Sequence, residues 1–161
     1  MIAGGQSALE SLGDAWAAAW VGRRDFGDCC TPDISYEDPV AAEPLRGLSE
    51  LSAHAARLRA AFPDLRLERT ARRVGDDEHA CLPWLAVGTQ SGALPGLPPT
   101  RRVVRLHGVH YVEIVDGHMR RARGFYDLHS VASQLGLLPA RGSLGETAML
   151  VLRGFGLRAR R

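Results

Sequence analysis

"RRVVRLHGVHYVEIVDGHMRRARGFYD", residues 101–127, is the longest stretch of the chain that reads as extended backbone. Side chains of a strand point to opposite faces in turn, so a repeat of two marks a segment with one face turned inward. Asp116-Gly117 interrupts the pattern, and Asp-Gly between two such runs is the strongest short hairpin signal. The spacing predicts a strand over 101–115, a tight turn, and a returning strand over 118–127. His110 and Val112 share one face of the first strand. Val103, Arg105, His107, Val109, Tyr111 and Glu113 share the other, which mixes apolar and polar groups too heavily for simple exposure. That face is expected to meet the same surface of a second copy, giving an isologous homodimer or a higher homo-oligomer.

Working backward, "SGALPGLPPT" is a loop by its prolines and glycines, and residues 79–90 form another strand with Leu82, Trp84 and Ala86 on one face. "GDDE" makes the preceding turn, and a strand is expected from Leu65 to about Val74. Before it the period changes. Leu48, Leu51, Ala55, Leu58 and Phe62 recur at helical spacing until Pro63 stops them, and Leu9, Leu12, Trp16, Ala19 and Trp20 do the same until Gly22. Between these helices lie a short helical piece over 25–30 and a strand over 33–38. Working forward from the hairpin, a last helix over 128–135 ends at Gly136. Helices followed by a meander of strands predict an α+β fold: a curved antiparallel sheet with helices on its concave face, a cone with an internal pocket.

The 161 residues suit one domain, taken as 1–136 with a C-terminal extension over 137–161. A formal net charge of +2 gives no reason to expect a nucleic-acid partner. No apolar run reaches the roughly 18–20 residues of a membrane span, and the first residues lack the basic end and apolar centre of a signal peptide. Cys29, Cys30 and Cys81 form neither a disulfide framework nor a metal-ligand spacing. A reduced, cytoplasmic protein is expected. In the extension, the apolar run 148–152 followed by four arginines reads as a helix that packs on a partner or caps the pocket mouth.

"ISYEDPV", residues 34–40, holds the chemical question. Ile34, Tyr36 and Asp38 share a face that should turn inward, and Pro39 stops the strand just after the acid. A carboxylate in an apolar cone is desolvated, which is expected to raise its pKa toward the range of a working base. The plainer reading makes Asp38 a turn residue bonded to backbone donors.

"YEDPVAAEPLRG", "AFPDLRLE", "GTQSGALPGLPPT" and "VHYVEIVDGHMRRARGFYD…SQLG", in this order, resemble the SnoaL-like polyketide cyclases of the nuclear transport factor 2-like superfamily, which also holds ketosteroid isomerase and limonene epoxide hydrolase. The resemblance implies a cyclase or isomerase of secondary metabolism acting on a polyketide-like small molecule, with no cofactor and no metal. Asp38 falls on the catalytic base of the isomerases, and Tyr36 on a pocket tyrosine of the hydrolases and several cyclases. His110 falls on the pocket histidine that cyclases carry ahead of the "IVDG" hairpin. Asp38 and His110 are therefore the expected catalytic pair, with Tyr36, Trp16, Trp84, Tyr126 and Val112 lining the substrate. His110 as a satisfied core histidine, and the aromatics as ordinary core, are the bland alternatives.

Two departures stand out. The aspartate that SnoaL-type cyclases place on the last strand is Gly124 here, and the isomerase tyrosine of the first helix falls near Trp16 or Ala17. Neither family mechanism runs unchanged on these residues. A non-catalytic ligand-binding or dimerisation module is the leading alternative. Epoxide hydrolysis ranks third, since it needs two carboxylates and an arginine around one water.

Overall fold

The computed structural model describes residues 3–139 and 142–152. Its centre is the expected hairpin. Strands β6 (Val103–Val115) and β7 (His118–Tyr126) are joined by Asp116 and Gly117, both at positive φ (49° and 75°). This is the backbone twist that a two-residue turn needs, and it explains why Asp-Gly sits there. On the other side of β6, β5 (His79–Thr89) pairs along its whole length, from His79 opposite Glu113 to Thr89 opposite Val103.

The remaining elements wrap around this ladder. Helix α1 spans Ala3–Trp20, and a short 3-10 turn at Phe26–Asp28 leads into β1 (Cys30–Glu37). The two-residue β2 (Leu45–Arg46) precedes α2 (Gly47–Ala61), and β3 (Arg66–Arg69) and β4 (Val74–Gly75) both pair with β5. Helices α3 (Leu128–Gln134) and α4 (Leu144–Leu152) follow the sheet. The sheet order is β2-β1-β7-β6-β5-β3, curved and open, with α1 and α2 packed against its inner face in the expected α+β arrangement.

One detail of that expectation needs amending. The sheet is mixed rather than wholly antiparallel, because β1 lies parallel to β7, with Ser35, Tyr36 and Glu37 opposite Arg121, Ala122 and Arg123. No hairpin links these strands. A long connection through α2 and the meander separates them, so either direction is sterically open, and parallel pairs need such a crossover. The strand expected from Leu65 to Val74 also breaks. Arg73 turns inward, 4% exposed, and its guanidinium bonds Glu10 and Asp14 of α1.

The core joins Trp16, Trp20, Ile34, Leu51, Ala55, Leu82, Val112 and Met119 between helices and sheet. Gly108 on β6 leaves room for the indole of Trp84 across the ladder. A Cβ there would lie 2.3 Å from Trp84 Cζ2. Residues 103–107 of β6 have no β7 partner, and the Gln134 side chain fills that edge, accepting from Arg105 N (2.8 Å) and donating to Arg105 O (2.9 Å). In the C-terminal extension α4 exposes Leu144 and Leu152; the arginines beyond it lie outside the described residues.

Candidate active site

Asp38 follows the end of β1, and its two oxygens do different things. Oδ1 accepts from the backbone N–H groups of Val40 (2.9 Å) and Ala41 (2.7 Å), a local turn that fits the chain's change of direction at Pro39. Oδ2 faces inward, where the Tyr36 hydroxyl (3.1 Å) and His54 Nε2 (2.9 Å) converge on it. The Asp38 side chain is 2% exposed. Burial opposes ionisation, but His54 and the two amides together outweigh it and hold the carboxyl below its ordinary pKa. The expectation of a raised pKa is thus corrected. Depth in the cone was legible, whereas the donors that offset it were not.

His110, on β6, is held from both sides. The indole Nε1–H of Trp16 donates to Nδ1 at 3.1 Å, and Nε2 lies 3.4 Å from the Tyr36 hydroxyl. An indole nitrogen can only donate, so Nδ1 is an acceptor and a neutral His110 carries its hydrogen on Nε2. The direction of the chain follows: Trp16 to His110, His110 to Tyr36, Tyr36 to Asp38 Oδ2. Complete burial pushes the His110 pKa down to about 3, although the charge of Asp38 pulls the other way. The imidazole is therefore a neutral hydrogen-bond donor and not a reservoir of acid. Trp20 stacks parallel to its ring (8°, centroids 5.8 Å), and Trp84 lies 5.2 Å away.

His54 was not among the expected residues. It sits on α2 in the same apolar stripe as Leu51, Ala55 and Leu58, and a polar side chain within such a stripe was the available signal. Of the others, Tyr126 packs edge-on against Trp84 (5.9 Å), and burial and then the Asp38 charge push its phenol pKa well up. Val112 is fully buried in the core, two residues along the same strand face as His110. Among the described residues no three His, Cys, Asp or Glu side chains converge as a metal site would require.

A family description of SnoaL-like polyketide cyclases matches residues 7–135. The chain belongs to the SnoaL-like polyketide cyclase family. Its fold is similar to that of a Jannaschia sp. CCS1 protein described as a SnoaL-like polyketide cyclase (TM-score 0.73, 22% identity, covering 84% of this chain and 95% of that one). It is also similar to AclR from Streptomyces galilaeus (TM-score 0.71, 22% identity, 92% and 94% covered). A protein of ketosteroid isomerase-like fold from Catenulispora acidiphila, in complex with trimethylamine, gives a TM-score of 0.65 at 21% identity over 78% of this chain and 92% of that one. No curated protein sequence matches the chain.

Within this SnoaL-like frame, Gly124 is where the site is tightest. A Cβ at 124 would lie 3.0 Å from the Tyr36 hydroxyl, 3.3 Å from Asp38 Cβ and 3.4 Å from His110 Cδ2. The space beside this glycine is thus taken by the three site residues themselves. A recess of about 280 Å³ opens between residues 39–44 and β7, with Asp38 and Gly124 in its wall and Arg123 and Phe125 at its rim. A larger recess of about 470 Å³ is lined by Gln6, Glu10 and Arg69–Arg72, and none of Asp38, Tyr36, His110 or Gly124 is in its wall. Of these two, the smaller adjoins Asp38 and is the better candidate for substrate, while the expected Tyr36, Trp16, Trp84, Tyr126 and Val112 lie outside its wall and not in it.

Proposed function

We propose that this SnoaL-like protein is a small-molecule acid/base catalyst, a cyclase or isomerase of a polyketide-like carbonyl compound in secondary metabolism. The observation that carries the reading is the Tyr36 hydroxyl, which bridges Asp38 Oδ2 and His110 Nε2 inside the apolar cone. A hydroxyl proton turns about its C–O bond. When a substrate carbonyl arrives, the Tyr36 proton swings from Asp38 to the carbonyl oxygen. One rotation then does two things: it supplies a donor where enolate charge develops, and it frees Oδ2 to take the proton from the neighbouring carbon. Losing the Tyr36 bond also makes Asp38 more basic. His110 supports Tyr36 from behind through its fixed Nε2–H.

Asp38→Asn tests this, because it keeps size and removes the base. Turnover of a polyketide-like diketone or enone should fall about 100- to 10,000-fold while binding remains. One observation favours a second reading, a ligand-binding module: both oxygens of Asp38 are already bonded, each twice. A wild type that binds such compounds without turnover, with Asp38→Asn changing affinity alone, would decide for it. The same proposal takes the protein as cytoplasmic, in keeping with three free thiols, and as a homodimer through the outer face of β6.

A further inference from the structure

We propose that His54 is a positioning residue for Asp38: its Nε2–H holds Oδ2 toward the interior during the step in which Tyr36 lets go. This rests on the acid/base reading above.

The argument begins with the asymmetry of the carboxylate. The partners of Oδ1 are backbone amides of the turn, fixed by the fold itself. Those of Oδ2 are two side chains. If Tyr36 gives its proton to a substrate oxygen, His54 keeps its direct 2.9 Å contact with Oδ2, while the Tyr126 phenol is the other side-chain donor that bears on the carboxylate. As the shortest side-chain contact to Oδ2, it then bears most directly on whether the freed lone pair stays aimed inward and how strongly it holds charge. Its geometry suits that task. The contact is 2.9 Å between side chains 7% and 2% exposed. The ring is wedged edge-on to Trp20 (6.0 Å) and against Tyr36 (5.9 Å), so it cannot swing aside without repacking both.

The placement on α2 adds a second point. Burying a carboxylate without a partner is costly, the turn amides reach only Oδ1, and the partner of the inward Oδ2 on α2 is His54. The titratable groups facing Asp38 are Tyr36 from β1, His110 from β6, Tyr126 at the end of β7, and His54 itself. Of those that take no part in the rotation of the Tyr36 proton, His54 is the one within 2.9 Å of Oδ2.

The experiment compares His54→Phe, which keeps a ring and removes the donor, with His54→Gln, which returns an N–H. Two readouts run side by side: the carboxyl ¹³C titration of Asp38 by NMR, and the acidic limb of kcat/KM. In His54→Phe both should move up by about 1–2 pH units, the worth of one charge-assisted hydrogen bond. In His54→Gln both should return most of the way. An Asp38 titration identical in wild type and His54→Phe, or a Gln variant indistinguishable from Phe, overturns the proposal. Should His54→Phe fail to fold, the wild type still decides. The His54 Nε2 proton should be protected from exchange and shift in Asp38→Asn, and an unprotected proton there also overturns it. A titration that responds to His54 in a protein without turnover would retire the catalytic reading and uphold His54's hold on Asp38. Turnover with an unresponsive titration would do the reverse.

Discussion

The indole nitrogen of Trp16 lies 3.1 Å from Nδ1 of His110, and it sets the direction of every hydrogen bond beyond it. Because Trp16 cannot accept, His110 must donate through Nε2, and Tyr36 must then donate to Asp38. One residue of α1 thereby orders a chain that ends on Asp38, just past β1.

Replacing Trp16 with Phe should release that order. The ring would still fill the core, but Nδ1 of His110 would lose its donor. Imidazole ¹⁵N spectra should show the Nε2–H form alone in the wild type and a tautomer mixture in Trp16→Phe. A buried acceptor left without a partner should lower stability by about 1–3 kcal/mol, read by urea unfolding.

Acid should unfold the protein by a route that runs through His110. Its pKa falls from an ordinary 6.5 to about 3 in the folded chain, so the unfolded chain binds the proton more readily. Stability is then fully present above pH 6.5 and drains away as pH drops toward about 3, at no more than about 1.4 kcal/mol per pH unit for one proton. Asp38, also lowered, adds to the same slope at the acid end of the range. His110→Asn, which offers an acceptor and a donor and does not titrate, should flatten the slope between pH 6.5 and 4.5 measured by urea midpoints.

Gly124 and Tyr36 should behave as a coupled pair. Gly124→Ala places a methyl 3.0 Å from the Tyr36 hydroxyl, tighter than ordinary contact, and should cost about 1–3 kcal/mol. Removing that hydroxyl in Tyr36→Phe relieves the nearest contact, so the double variant should lose less than the two single losses added together. A double-mutant cycle on unfolding free energy measures the difference. Strict additivity would mean that the glycine answers to something else.

The outer face of β6 carries the assembly prediction. Val103 is 58% exposed and Phe125, across the ladder from Val109, is 49% exposed with Arg123 laid over its ring. Sedimentation at micromolar concentration should give a dimer, and Val109→Arg should give a monomer that keeps its fold. A wild-type monomer would remove this face as an interface.

Much of this molecule was legible because local patterns carry it. The period of two over residues 101–127, the Asp-Gly turn and the two apolar stripes each describe structure within a few residues of themselves. The parallel pairing of β1 with β7 lay beyond such reading, since no turn connects them and both directions bury the same face. The candidate site divides along the same line. Asp38, Tyr36 and His110 could be placed by strand alternation and family resemblance. His54 offered only a polar side chain within an apolar stripe, a signal without a role until α2 is seen to cross the end of β1. Asp38's lowered pKa was missed for that reason too: burial shows in an apolar pattern, but a partner from another element does not.

The Gln134 amide that occupies the edge of β6 at Arg105 acts as a one-residue mimic of a neighbouring strand. Unsealed, residues 103–107 would present an open row of backbone donors and acceptors ending beside the exposed Val103. A chain shortened to end at Ser133 would therefore be more prone than the longer one to recruit further chains at that edge and grow fibrils or precipitate.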